Sequence, residues 1–421
     1  MKKIILALAA ATIMHGIPSE AKSVYTNPTG KEFPILAWYS IIGDENQTPE
    51  RYKELREAGF NLSFSHTGSP ANVEKAMQAC KNTGVKLVVM TASMEGNTAE
   101  EVNRLKGDPD LALWFLRDEP VVSGFEQLRA FRDRIYENDG LHMGYLNLLP
   151  DMVEPQVLGT KNYEEYVRRY VDEVDLPMIS YDFYPIVKDG ENVVVRPTFY
   201  ENLEIVRKVA LEKDMPFWAF CLSTAHAAYP VPQPSHLRVE AWSALAYGAQ
   251  GLQYFTYWSP GTEVWDFHNA PINEKGERTN VYYMIKTLNR EIQGLAPIFL
   301  GAKAEAVWHT GAKLPQGTQP LKDLPIGIKA VAASEEGVVV SHLANGKKHY
   351  LMVVNRDIHN PQDVTLTAEK EMTRILPDAS RLKPEIPTGQ PVRVAAGDYL
   401  LYEFKYQKPP KVKEEKEKKK K

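Results

Sequence analysis

Cysteine is nearly absent. Cys80 and Cys221 are the only two in 421 residues and fall on separate predicted elements, so two buried thiols are expected rather than a bridge. Long apolar runs are also scarce, and after residue 21 none is long and charge-free enough to span a membrane. Basic residues gather only at the end of the chain. Residues 407–421 hold eight Lys and three Glu, which leaves −9 on the rest of a chain whose formal charge is −4. Such a run after Pro409-Pro410 reads as a solvated, disordered tail, and no nucleic-acid partner is expected. His226, His236 and His268 have no carboxylate cluster at metal-ligand spacing, so neither a metal nor another cofactor is expected.

The one early apolar stretch, residues 4–14, follows Lys2 and Lys3 and precedes the small-x-small sequence Ser19-Glu20-Ala21. Residues 1–21 therefore read as a secretory signal, and a periplasmic or extracellular location is expected. No cysteine follows the stretch to take a lipid. Beyond it, 43% hydrophobic and 25% charged residues describe an ordinary globular chain, long enough for two domains. Tyrosine outnumbers phenylalanine 21 to 14, which suits either a sugar-stacking cleft or rings at the core edge with solvated hydroxyls.

From residue 33 to about 300, short apolar runs alternate with amphipathic stretches. Strands are predicted at 33–39, 60–65, 85–90, 111–116, 142–148, 177–181, 216–222 and 251–257. Helices are predicted at 49–58, 71–82, 98–106, 124–138, 163–174, 199–212 and 235–247. Thr48 caps the first helix ahead of Pro49, and Gly59 ends it. Strands this continuously apolar are buried on both faces, which calls for a parallel sheet covered by helices. Eight such units in about 270 residues match a closed (β/α)8 TIM barrel. The open doubly wound alternative lacks its Gly-rich loop, since Tyr39-Ser-Ile-Ile-Gly43 is not one. After residue 301 the pattern changes to short alternating runs split by turns, with Asn345-Gly346 a hairpin signal. The expected organisation is a signal at 1–21, a barrel at 22–300, a small antiparallel β-sandwich at 301–406 and a tail at 407–421.

In such a barrel, chemistry sits at the C-terminal rim of the strands. The predicted rims carry Trp38-Tyr39, Ser65-His66, Thr91, Asp118-Glu119, Asn147, Asp182 with Tyr184, residues 221–224, and Tyr257-Trp258. Asp118-Glu119-Pro120 stands out. Adjacent carboxylates ending an apolar strand oppose burial unless they are used or paired, and their coupling raises one pKa, as a general acid needs. The plain alternative is a helix-capping pair or one neutralised by Arg117. Trp38, Tyr145, Trp218 and Trp258 are candidate sugar platforms and equally candidate core plugs. Tyr257 shares the eighth rim. His66, Asn147 and Tyr184 are candidate orienting groups. Cys221 has no base beside it and reads as a buried thiol.

Trp114-Phe-Leu-Arg-Asp-Glu-Pro120 resembles the fourth-strand acid motif of (β/α)8 glycoside hydrolases, in which a Glu before Pro is the acid/base. Ser180-Tyr-Asp-Phe-Tyr-Pro185 and Ala246-Tyr-Gly-Ala-Gln-Gly-Leu-Gln-Tyr-Phe-Thr-Tyr-Trp258 resemble sixth- and eighth-strand segments of that superfamily, including family 42 β-galactosidase-like proteins. The resemblance implies that Glu119 is the acid/base and that Trp258 lines the sugar subsite. Two departures stand against it. The large retaining clan has Asn where this chain has Asp118, and its seventh-strand nucleophile falls in Trp218-Ala-Phe-Cys-Leu-Ser-Thr224, which has no carboxylate. Three repairs remain open. Asp118 orients a substrate's own 2-acetamido group, as in substrate-assisted hexosaminidases; or Asp182 acts as base or nucleophile opposite Glu119; or Glu263 or Asp266 swings in from the loop after strand eight. The expected function is cleavage of an O-glycosidic bond in a polysaccharide or glycan. A carbohydrate-binding protein on a degenerate barrel is the alternative.

Overall fold

The computed structural model describes residues 24–65, 69–261, 263, 265–334 and 336–407. The expected secretory segment, His66 and the tail from 408 onward lie outside the described residues.

Among the described residues, ten strands precede residue 260. They are β1 (Ile35–Trp38), β2 (Leu62–Phe64), β3 (Lys86–Val89), β4 (Leu111–Asp118), β5 (Met143–Asn147), β6 (Ile179–Tyr181), β7 (Ile186–Asp189), β8 (Asn192–Val195), β9 (Phe217–Leu222) and β10 (Gly251–Phe255). Eight form one parallel sheet in the order β5-β4-β3-β2-β1-β10-β9-β6. A Leu148–Tyr181 bridge joins its two ends, so the sheet closes into the expected barrel. Here Leu148 N–H donates to Ser180 O at 2.8 Å and Asp182 N–H to Leu148 O at 3.2 Å. β7 and β8 form a hairpin in the connection after β6 that the strand-helix pattern does not anticipate.

The helices fall close to the predicted ranges. α1 (Pro49–Glu57) and α2 (Pro70–Cys80) each start with Pro behind a capping Thr48 or Ser69. Proline lacks only an N–H that the first turn leaves unpaired anyway. They are followed by α3 (Thr98–Leu105), α4 (Phe125–Tyr136), α5 (Pro155–Leu158), α6 (Tyr163–Arg169), α7 (Phe199–Lys213), α8 (Pro234–Ala246), α9 (Asn280–Gly294) and α10 (Ala296–Phe299). Cys80 and Cys221 are buried and free.

Period-two alternation divides the barrel core in two. Leu36, Trp38, Leu62, Phe64, Leu113, Phe115, Tyr145, Trp218 and Phe220 fill the interior as one cluster. Their strand neighbours Ile35, Ala37, Trp114, Leu116, Ala219 and Cys221 pack outward against the helices. Burying one such large apolar side chain stabilises the fold by roughly 1.5–3 kcal/mol. Among the interior rings, Trp38 meets Phe64, Phe115 and Phe220 edge-on at 4.9–5.6 Å.

The alternation breaks in β4, first where Ala112 and Leu113 both face the interior and again at the fourth rim. Phe115 pairs with Tyr145, but the next pair is Asp118 with Asn147, so β4 carries one more residue than β5 across this stretch. Strict alternation from Leu113 and Phe115 aims position 117 into the barrel. The bulge transfers that slot to Asp118 and leaves Arg117 exposed, bonded to Glu95 at 2.7 Å.

After α10 the chain is β throughout. β11 (Lys303–His309), β13 (Val338–Asn345), β14 (Lys348–Asn355), β16 (Met372–Ile375) and β18 (Tyr399–Phe404) form one antiparallel sheet. β12 (Ile328–Ala332), β15 (Gln362–Ala368) and β17 (Val392–Val394) form a second. Val338, Val340, Leu351 and Val353 face the second sheet, whereas Val339, Leu343, Met352 and Val354 join the core that continues from the barrel helices. Arg238 on α8 fastens this contact, reaching Glu291 on α9 at 2.7 Å and Asp398 at 2.8 Å.

Candidate active site

Three carboxylates converge at the C-terminal mouth of the barrel. Asp118 and Glu119 leave β4, and Asp182 follows β6. Glu119 holds a left-handed φ of 47°, uncommon for a residue with a side chain. Its N–H donates to Asn147 O at 2.8 Å, and Tyr166 OH donates to Pro120 O at 2.6 Å, so both sides of the turn are pinned. Tyr39 at the β1 exit has φ 44°. Backbone held this way at a rim marks a position that its surroundings over-determine, as functional sites do.

Asp182 carries the strongest electrostatic conflict. Burial pushes its carboxyl well above the usual range, and the charges of Glu119 and Asp118 push it further, with Glu119 within hydrogen-bonding reach. Asp182 Oδ1 is sequestered and receives no hydrogen bond. With no donor between the two carboxyls, a proton on Asp182 relieves the conflict. Asp118 is pushed up to about 7, by the crowding of the mouth first and by Glu119 second, against donation from Asn147. Its side chain meets solvent, which screens part of that effect. Among the described residues no ion pair joins these three carboxylates to a cation. Tyr184 faces all three, and burial together with their charges keeps its phenol protonated, a donor over the site.

Polar side chains in the barrel interior lead up to Asp118. Asn147 Nδ2 donates to Asp118 Oδ1 at 3.4 Å, Ser180 Oγ donates to Asn147 Oδ1 at 3.0 Å, and Gln253 Nε2 donates to Ser180 Oγ at 2.8 Å. Gln253 Oε1 accepts from Trp38 Nε1 at 3.4 Å and from Tyr145 OH. Around the mouth, Tyr184 packs on Phe255 at 5.6 Å and edge-on to Tyr229 at 5.8 Å, while His226 lies between Tyr229 and Phe267. A cavity of about 680 Å³ opens beside Asp118 and Glu119, bounded by Glu95, Arg117, Gln127 and Arg134.

The rim-based reading brings Asp118, Glu119, Asp182, Asn147 and Tyr184 together. Four other candidates need correction. Trp38 and Trp218 are sealed in the barrel interior, with no face left for a sugar. Trp218 sits at the far end of the barrel, donating to Tyr25 OH at 3.3 Å, and its indole occupies the space a Cβ would fill at Gly251, only 2.6 Å away. Tyr257 and Trp258 continue past β10 with N–H groups bonded to Trp38 O and Tyr39 O, and their rings turn outward to the helices. Tyr257 packs on Phe60 at 5.4 Å, and Trp258 lies under Arg51 at 5.0 Å. Glu263 and Asp266 are exposed on the loop after β10, beside Trp265, which is 57% exposed. Gln253 and Ser180 were missed as site residues, although each is a lone polar residue in an apolar strand and so carried a signal.

The β9 exit has no free carboxylate. Ser223 Oγ donates to Thr256 O at 2.7 Å and Thr224 Oγ1 to His268 O at 3.2 Å. The nearest acid is Glu240 on α8, buried behind the strand and accepting from Leu222 N–H at 2.7 Å.

Residues 151–295, about one third of the chain, match the family model Glyco_hydro_42, described as Beta-galactosidase. The barrel is similar to those of glycoside hydrolases. The match points to the glycosidases, and the matched segment includes Asp182, Tyr184 and Gln253 while leaving out Asp118 and Glu119. No curated protein sequence matches the chain. A β-galactosidase from Bacillus circulans sp. alkalophilus superposes with a TM-score of 0.58 at 10% identity, over 89% of this chain and 99% of that one. A catalytic mutant of a family 42 β-galactosidase from G. stearothermophilus gives 0.57 at 8% identity, over 91% and 100%. The chain spans only 60% of the length of a β-galactosidase from the psychrophilic Marinomonas ef1, with 63% of its own residues, 11% identity and a TM-score of 0.46. Likeness at these identities is likeness of fold.

Proposed function

We propose that the protein is an exported glycosidase acting on a glycan, with Glu119 as general acid and the substrate's own 2-acetamido carbonyl as nucleophile. One observation carries this reading. Glu119 lies within hydrogen-bonding reach of the Asp182 carboxyl, whereas two-carboxylate glycosidases hold theirs about 5–5.5 Å apart to retain configuration or about 6.5–9.5 Å apart to invert it. No second carboxylate stands at the β9 exit, so the nucleophile must come with the substrate.

The chemistry follows from the site. Glu119 is the solvent-facing member of the pair and gives a proton to the glycosidic oxygen as the C1–O bond breaks. The acetamido carbonyl oxygen bonds to C1, and anionic Asp118 accepts the acetamido N–H, stabilising the positive charge of the ring that forms. Water then adds to C1 and opens that ring while its proton passes to Glu119, restoring the starting state. Tyr184 donates to sugar hydroxyls at the same mouth.

A second reading is hydrolysis of a plain β-galactoside, favoured by the family match over residues 151–295. Aryl glycosides with and without a 2-acetamido group, in both anomers, separate the two. Release confined to 2-acetamido sugars and lost in Glu119→Gln supports the proposal. Release from plain galactosides sinks it. Export rests on residues 1–21 and predicts a mature N-terminus at Lys22 when the protein is recovered from outside the cytoplasm.

A further inference from the structure

The hydrogen-bonded chain beneath Asp118 takes its direction from a donor-only end. Trp38 Nε1 is a donor and nothing else, so the Gln253 atom facing it must be the carbonyl oxygen. That fixes the amide of Gln253, whose Nε2 then donates to Ser180 Oγ. The one proton of Ser180 is left for Asn147 Oδ1, which turns Asn147 Nδ2 toward Asp118. Gln253, Ser180 and Asn147 are all at least 98% buried, so water does not scramble the order. Were Asp118 protonated and donating, Asn147 would flip and give an N–H to Ser180, whose own proton would then have the Tyr145 hydroxyl in place of the Asn147 amide oxygen. A phenol oxygen is a weaker acceptor than an amide oxygen, so the wiring opposes that state.

We infer that Trp38, Gln253, Ser180 and Asn147 form a one-way relay that holds Asp118 as an aimed carboxylate, making Gln253 and Ser180 positioning residues of the site. The role assigned to Asp118 rests on the proposed mechanism, but the relay does not depend on it. The relay works against the other groups that face Asp118. These are Glu119 on its own strand, Tyr39 after β1, Tyr145 on β5, and Asp182 and Tyr184 after β6. Arg117 turns away to Glu95, and among the described residues none of the facing groups supplies positive charge.

The test reads Asp118 directly. With ¹³C-labelled aspartate, its carboxyl resonance (assigned by its loss in Asp118→Asn) is titrated in a Glu119→Gln background, which removes the adjoining charge. Ser180→Ala deletes the donor to Asn147. Gln253→Glu replaces the amide with acceptors only, so Ser180 donates backward and Asn147 is released. Both variants are expected to raise the Asp118 midpoint by about one pH unit, a tenfold change in proton affinity. Ser180→Thr keeps the hydroxyl and leaves the midpoint in place. Unmoved midpoints in Ser180→Ala and Gln253→Glu overturn the relay, and so does a Ser180→Thr shift as large as that of Ser180→Ala. If Gln253→Glu fails to fold, the Ser180 pair decides alone. In otherwise wild-type protein, the acidic limb of kcat/KM moves up with the midpoint. Shifted midpoints in a protein that cleaves no glycoside uphold the relay and refute the glycosidase mechanism. Activity on 2-acetamido sugars with unmoved midpoints does the reverse.

Discussion

The exits of β4 and β9 belong to one mouth and differ in nearly every physical respect. At β4 an extra residue breaks the ladder, Glu119 sits at positive φ, and two carboxylates face a third without a cation among them. At β9 the strand ends regularly, Ser223 and Thr224 spend their hydroxyls on backbone carbonyls, and Glu240 is turned away behind the sheet. The difference teaches where free energy is stored. The β4 exit keeps unmet charge and backbone strain that only a function repays, whereas the β9 exit is satisfied structure. A barrel in which both exits were charged would describe a two-carboxylate enzyme; this one has its reactive groups on one side.

The comparison breaks most readily at Glu119. Glu119→Gln keeps the shape and removes the transferable proton, and is expected to lower kcat/KM on a 2-acetamido aryl glycoside by about 10³-fold. Asp118→Asn keeps the hydrogen-bonding outline but loses the charge opposite the developing cation, and a loss of about 10²-fold is expected in the same assay. Equal activity in either variant would mean that the strain at β4 serves packing alone.

Smaller effects sharpen the contrast. Trp265→Ala removes the exposed ring beside the mouth and should raise KM for an oligosaccharide by roughly three- to tenfold while leaving small aryl substrates unchanged. Thr224→Val at the quiet exit should leave kcat/KM within about twofold and cost about 1 kcal/mol of stability for the lost hydrogen bond, read from denaturant unfolding.

Glu240 adds a pH dependence. Burial raises its carboxyl well above the ordinary range, so the folded state keeps a proton that the unfolded state releases. Stability from this residue is therefore complete below the unfolded carboxylate's range and is lost as pH rises above it. Glu240→Gln should unfold on the order of 1–3 °C above wild type at pH 8, with the gap narrowing toward pH 5 and activity unchanged. A gap that widens on acidification would reverse the assignment.

The architecture was legible because the barrel strands are apolar on both faces and the helices carry proline and cap signals at their starts. Thr48-Pro49 and Ser69-Pro70 each open a helix. The β7–β8 hairpin was not legible, since its residues 192–195 read like any connecting run. That Asp118, Glu119, Asp182 and Tyr184 meet at one mouth was legible because carboxylates and a phenol after apolar strands are conspicuous. The aromatic candidates failed for a different reason. An aromatic residue after a strand looks the same in sequence whether it faces the mouth, as Tyr184 does, or continues outward, as Trp258 does. Only the parity of the last ladder pair separates them, and the bulge at β4 shows how one residue can change it. Gln253 was visible as a polar residue inside Leu252-Gln253-Tyr254, but its meaning depends on Trp38, more than 200 positions away.

The central claim is that the substrate supplies the nucleophile. Its most direct test is the rate on one aryl 2-acetamido sugar as the acetyl group is replaced by mono-, di- and trifluoroacetyl. Fluorine drains the carbonyl oxygen of nucleophilicity and changes the size of the group little. The account predicts a steep fall in kcat/KM with each fluorine added. A flat series, or faster cleavage of the plain sugar that lacks the group, would contradict it.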